Sequence, residues 1–103
     1  MKEGGIQVAI CGYLSTRGHF FWRQNTIPVF DVRNRSFRRM PRFSMAGIPD
    51  IILIKDGRFI GIEVKNERGR QSTGQLLFET NCKRAGGEYH VVRSVRDVIG
   101  LGL

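Results

Sequence analysis

The stretch Gly47-Ile48-Pro49-Asp50-Ile51-Ile52-Leu53-Ile54, continued by Lys55-Asp56-Gly57-Arg58 and Phe59-Ile60-Gly61-Ile62-Glu63-Val64-Lys65, decides the fold. Asp-Gly between two runs of strand-forming residues is a strong signal for a two-residue hairpin turn of type I′. That turn sets a register. With Lys55 opposite Arg58, Ile54 faces Phe59, Leu53 faces Ile60, Ile52 faces Gly61, Ile51 faces Ile62, and Asp50 comes opposite Glu63. The period of two puts Lys65 on the face of Glu63, roughly 7 Å further along.

Three charges thus converge at the open end of an otherwise apolar hairpin. Like charges directly across a ladder destabilise it, so the opposed carboxylates call for a cation between them. Oxygen ligands from Asp and Glu suit Mg²⁺ or Mn²⁺ better than zinc, and Mg²⁺ keeps several waters and accepts phosphate oxygens as further ligands. Glu63-Val64-Lys65 alone reads better as a strand face turned to solvent, as any Glu-x-Lys does. Asp50, behind a proline and at the matching register, reverses that reading.

Pro49-Asp50 with Glu63-Val64-Lys65 resembles the signature of the PD-(D/E)XK nuclease superfamily. Gly47-Ile48-Pro49-Asp50, Ile62-Glu63-Val64-Lys65, Gln75 within Ser72-Thr73-Gly74-Gln75, and Ala85-Gly86-Gly87 narrow the likeness to the virus-type replication-repair nuclease (VRR-NUC) domain. Glu3-Gly4-Gly5-Ile6-Gln7 and Phe21-Trp22-Arg23-Gln24-Asn25-Thr26 are similar to that domain's opening helix and first strand. The resemblance spans nearly the whole chain. It implies an α/β fold, a restriction-endonuclease-like core in which a mixed sheet is flanked by helices.

The 103 residues fit one domain, 1–103, and the 41% of hydrophobic residues can close one modest core. A formal net charge of +8 and a pI near 10.5 point to a polyanionic partner. Nucleic acid is the first candidate. An anionic membrane surface is the rival, but the sequence has no long apolar run, signal peptide or basic amphipathic helix of the membrane-lying type. A soluble, cytoplasmic protein of a bacterial or phage-infected cell is the expectation. Cys11 and Cys82 fall in predicted helices and read as free thiols. With His19 and His90, both predicted in strands, they lack the close spacing of a zinc site.

In chain order, Ile6, Ile10, Tyr13 and Leu14 predict an amphipathic helix from Glu3 to about Arg17. Gly18 ends it, and His19 to Gln24 has the aromatic content of a strand. From Thr26 to Ala46 no clean period emerges. A short strand near Val29 to Val32 is expected, then a basic loop with Arg33, Arg35, Arg38, Arg39 and Arg42 around Phe37 and Met40, which reads as a phosphate-binding surface. After the hairpin, a basic loop from Asn66 to Gln71 leads to Ser72 and Gln75, a capping box. Gln75, Phe78, Cys82 and Ala85 then make an inward helical stripe with Gln75 at its polar end, near Lys65. Gly86-Gly87 stops that helix, Glu88 to Val92 returns as a strand, and Ser94 caps a final short helix. Three or four strands are expected before the crossover helix.

The function implied is a metal-dependent DNA endonuclease. Asp50 and Glu63 would hold Mg²⁺, or Mn²⁺ in its place, and the resemblance adds the Val64 carbonyl as a ligand. Lys65 would position the attacking water and support the phosphoryl charge, with Gln75 orienting Lys65 or the water. Helix-dipole stabilisation accounts for Glu3 in a first turn, and the resemblance gives it an auxiliary role near the metal. Stand-alone domains of that family are dimers that resolve branched DNA, so a two-fold homodimer acting on four-way (Holliday) junctions is expected. The rival is a non-catalytic nucleic-acid-binding module on the same fold; intact Asp50, Glu63 and Lys65 weigh against it.

Overall fold

Ile6, Ile10 and Leu14 recur at helical spacing and line the buried side of α1 (Glu3–Thr16) in the computed structural model, which describes residues 1–24 and 42–103 and the backbone of 30–31 and 36–37. The helix closes with Gly18 at φ +76°, and the His19 N–H donates to the Leu14 carbonyl at 3.1 Å. That bond explains a departure from expectation. His19 serves the helix terminus and lies just before β1 (Phe20–Arg23), not within it, and its Nε2 meets the Leu103 carbonyl oxygen at 2.9 Å.

β4 (Ile51–Lys55) and β5 (Arg58–Val64) form the expected hairpin, paired as Ile51 with Ile62 through to Lys55 with Arg58. Asp56 and Gly57 both have positive φ, 52° and 74°, as the mirror-image turn demands. β1 adds antiparallel to β4, Phe20 facing Ile54. After α2 (Thr73–Arg84), the chain returns as β6 (Glu88–Val92) parallel to β5, and α3 (Val95–Gly100) follows. The sheet order is β1-β4-β5-β6, a mixed sheet with a crossover helix. Its closed side joins Ile51, Leu53, Ile60, Ile62, Val64 and Val92 to the apolar faces of α1 and α3.

The basic segment differs from the reading of a single strand and a loop. β2 (Phe30–Asp31) pairs antiparallel with β3 (Ser36–Phe37), so five strands precede α2. Two-residue strands carry too few positions to show a period. The stripe on α2 is also shallower than expected: Gln75, Phe78 and Cys82 are half-buried and Ala85 is exposed. Ala85 is the C-cap residue, where the chain already turns away towards Gly86-Gly87. Among the described residues, no helix is long and apolar enough to cross a membrane.

Candidate active site

Gly47 fixes where the site's first residue stands. At φ +75° its backbone abuts the first turn of α2, where a Cβ would run into the Gly74 carbonyl and the Gln75 amide. Two residues on, buried Pro49 leads to Asp50 at the bend before β4. The ladder proper ends one pair short, at Ile51 and Ile62. Asp50 nonetheless reaches β5: its Oδ2 accepts from the Val64 N–H at 2.8 Å, while its carbonyl accepts from the Gln24 N–H at 2.7 Å.

Glu63 is the hub. Only 1% exposed, it takes a hydrogen bond at Oε1 from Gln75 Nε2 at 3.1 Å, and Lys65 Nζ stands 3.7 Å from the same oxygen. Lys65 itself is 9% exposed. Burial, then hydrogen bonding to Asp50 and the Asp50 charge, push the Glu63 carboxyl up to about 8, against the lowering effect of Lys65 and Tyr89. The physical content is that this pocket disfavours a second negative charge beside Asp50. A dense, partly uncompensated pair of carboxyls is the arrangement a divalent cation relieves.

Gln75 fills two roles with two atoms. Its Oε1 accepts from the Ser72 N–H at 2.9 Å and its own N–H donates to Ser72 Oγ at 3.2 Å, completing the capping box, which leaves Nε2 for Glu63. Glu3 sits at the rim. Its Oε1 accepts from the Asn66 N–H at 3.4 Å, one residue beyond Lys65. Arg42 is exposed, with its guanidinium 4.9 Å from the Phe43 ring centroid. Arg33, Arg35, Arg38 and Arg39 lie outside the described residues.

Sequence reasoning missed two neighbours. Tyr89, 2% exposed, places its hydroxyl 3.5 Å from Glu63 Oε2, and Gln71 Nε2 lies 3.5 Å from that hydroxyl and 3.1 Å from Glu79 Oε1. Burial raises the Tyr89 phenol, so it remains a neutral hydroxyl behind Glu63. It is the parallel register, pairing Gly61 with Tyr89, that sets Tyr89 beside the Glu63 side of β5.

The oxygen donors brought together here are the carboxyls of Asp50 and Glu63. Among the described residues no group of three His, Cys, Asp or Glu gathers, and Cys11 and Cys82 are free. Such a set is unsuited to closed zinc coordination. It fits a hard divalent ion that keeps waters and shares the ligands of a phosphate substrate.

No family model matches the chain, and no curated protein matches it significantly. Among solved structures, one described as a VRR_NUC domain superposes with a TM-score of 0.68 at 23% identity, covering 98% of this chain and 94% of its own. The chain therefore shares the fold of that VRR_NUC domain.

Proposed function

We propose that the chain is a divalent-metal-dependent DNA endonuclease whose site is Asp50, Glu63, Lys65 and Gln75. One observation carries the reading. A carboxylate sealed from solvent stands beside a second carboxyl, a lysine and a glutamine amide, all at one end of a hairpin on a nuclease fold.

Asp50 and Glu63 would hold Mg²⁺, with Mn²⁺ as a substitute and the Val64 carbonyl as a further ligand from the strand. Bound there, the ion would supply Lewis-acid stabilisation of charge on the phosphate and lower the pKa of the attacking water. The chain's own groups do the rest. Lys65, held close to Glu63, presents a positive charge to the phosphoryl oxygens and a donor that orients water. Gln75 restrains Glu63 through a side chain that the capping box already fixes. The Asp50 carboxylate is held in turn by the Val64 amide, so both carboxyls are aimed before substrate arrives. Glu3 has an auxiliary place at the Lys65 side. Arg33, Arg35, Arg38, Arg39 and Arg42 would add sequence-independent affinity for the DNA backbone.

The working unit in this reading is a two-fold homodimer that cuts branched DNA such as four-way junctions. Exposed apolar surface supports a partner copy: Phe20 and Trp22 stand exposed on edge strand β1, and Met45, Phe59, Phe78, Cys82 and Ala85 line a groove of about 430 Å³. Purified protein assayed on linear, flapped and four-way DNA, with Mg²⁺, Mn²⁺ or chelator, tests the reading. Metal-dependent cleavage supports it; DNA binding without cleavage under any metal would leave a non-catalytic binding module. Light scattering should give about twice the chain mass, and mixed dimers with one Lys65→Ala chain should cut one junction strand only. A monomer cutting both strands would contradict the dimer alone.

A further inference from the structure

We infer that the loop of residues 66–71 is a phosphate-backbone clamp, with Arg68 and Arg70 as its contacts and Arg93 as its brace. The inference rests on the nuclease reading and adds where the strand beside the scissile phosphate is gripped.

A basic surface loop is usually only solvated. This one is built differently. It leaves β5 at Lys65 and is tied down along its length. Asn66 N–H donates to Glu3 Oε1 at 3.4 Å, and Arg68 N–H and Gly69 N–H donate to Asn66 Oδ1 and its carbonyl, both at 3.1 Å. At the far end Gln71 bonds to Glu79.

From the other side, Arg93 donates through Nη1 to the Asn66 carbonyl and, at 3.1 Å, to the Gly69 carbonyl. Arg93 is itself anchored, its N–H donating to Asp97 Oδ2 at 2.8 Å in the first turn of α3. A guanidinium that crosslinks two carbonyls of one loop holds that loop's shape.

Gly69 sets the depth. A Cβ there would come within 2.6 Å of Glu3 Oε1 and 3.2 Å of both Lys65 Cβ and Cδ. The loop backbone therefore lies directly on the Lys65 stem, leaving no room for a side chain. Arg68 and Arg70 flank this contact, both exposed, and neither forms a salt bridge among the described residues. The one acid of the loop, Glu67, lines a separate cavity with Met1, Ile6, Arg93 and Val95. Two unpaired guanidinium groups on a braced backbone next to Lys65 suit the phosphates that flank the one being cut.

The test measures binding of a labelled DNA duplex to the wild-type chain in chelator, where no cleavage occurs, between about 50 and 200 mM salt. Arg68→Gln with Arg70→Gln should lower the log-log salt slope by about two, since each lost phosphate contact removes about 0.9. With Mg²⁺, the same pair should raise KM while leaving kcat within about two-fold. Arg93→Gln should also reduce the slope and speed amide exchange across residues 66–71 without DNA, whereas the exposed double variant leaves exchange unchanged. Arg93→Lys should restore part of that protection. Arg84→Gln, at the far end of α2, serves as the control. A slope unchanged by the double variant would overturn the clamp while Mg²⁺-dependent cleavage by the wild type keeps the nuclease reading. A slope unchanged by Arg93→Gln despite faster exchange would overturn the brace. Wild-type protein that neither binds nor cuts DNA would overturn both.

Discussion

The hairpin carries an ion pair near each end, and the two could hardly differ more. At the turn end, Arg58 pairs with Glu88 of β6, side chains 55% and 34% exposed, and water screens both. At the open end, Lys65 pairs with Glu63 at 11% and 1% side-chain exposure, and a second carboxyl crowds the same spot. Exposed pairs of the first kind contribute about 0–1 kcal/mol and little else. A buried pair of the second kind costs stability wherever its charges lack partners, and on the proposed reading a divalent cation supplies the partner.

Substitution should separate the two ends most widely in activity. Asp50→Asn, Glu63→Gln and Lys65→Ala should each lower cleavage on the order of 10²-fold or more while circular dichroism shows a folded chain. Wild-type rates at limiting Mg²⁺ in any one of them would remove that residue from the site.

Acidity sharpens the contrast next. Folding raises the Glu63 carboxyl from 4.5 to about 8, so the metal-free fold keeps this contribution below about pH 4.5 and loses it as pH rises through 8. The metal-free melting temperature should fall between pH 5 and 8 by roughly 5 °C or more, and Glu63→Gln should flatten that fall. Added Mg²⁺ should stabilise most at the alkaline end, where the ionised carboxylate binds it. A melting temperature that rises over this range in both proteins would contradict the buried-carboxyl assignment.

Gln75 lies between fold and chemistry and can be divided by comparison with Ser72. Ser72→Ala should cost about 1 kcal/mol by denaturant unfolding, through the cap, and leave cleavage nearly intact. Gln75→Ala should cost a similar amount and also slow cleavage on the order of ten-fold, because Glu63 loses its amide donor. Equal cleavage by the two variants would reduce Gln75 to a capping residue. The smallest effect belongs to the turn end: Arg58→Ala should change stability by less than about 1 kcal/mol and cleavage not measurably.

What the sequence made legible follows from how local each cue is. The Asp56-Gly57 turn fixes the hairpin register through adjacent residues, so the meeting of Asp50, Glu63 and Lys65 could be counted off the chain. Ser72 and Gln75 are three apart and announce their own cap. Tyr89 and Gln71 escaped because the register of β6 on β5 depends on how α2 carries the chain over the sheet, a long-range packing outcome with no short-range signature. β3 escaped because two residues hold no pattern, and His19 because its backbone closes α1 while its ring reaches Leu103. Arg93 carries no local cue at all; only its contacts with the Asn66 and Gly69 carbonyls reveal a structural part.

The central claim is that the open end of the hairpin takes up a divalent cation through Asp50 and Glu63. Calorimetric titration of Mn²⁺ into the metal-free chain, run in buffers of different ionisation enthalpy, addresses it without relying on catalysis. With Glu63 near 8, uptake at pH 7 should release close to one proton, and release should fade above pH 9 as the carboxyl ionises beforehand. Asp50→Asn and Glu63→Gln should each weaken the binding about ten-fold or more. Binding unaltered in both variants would contradict the account.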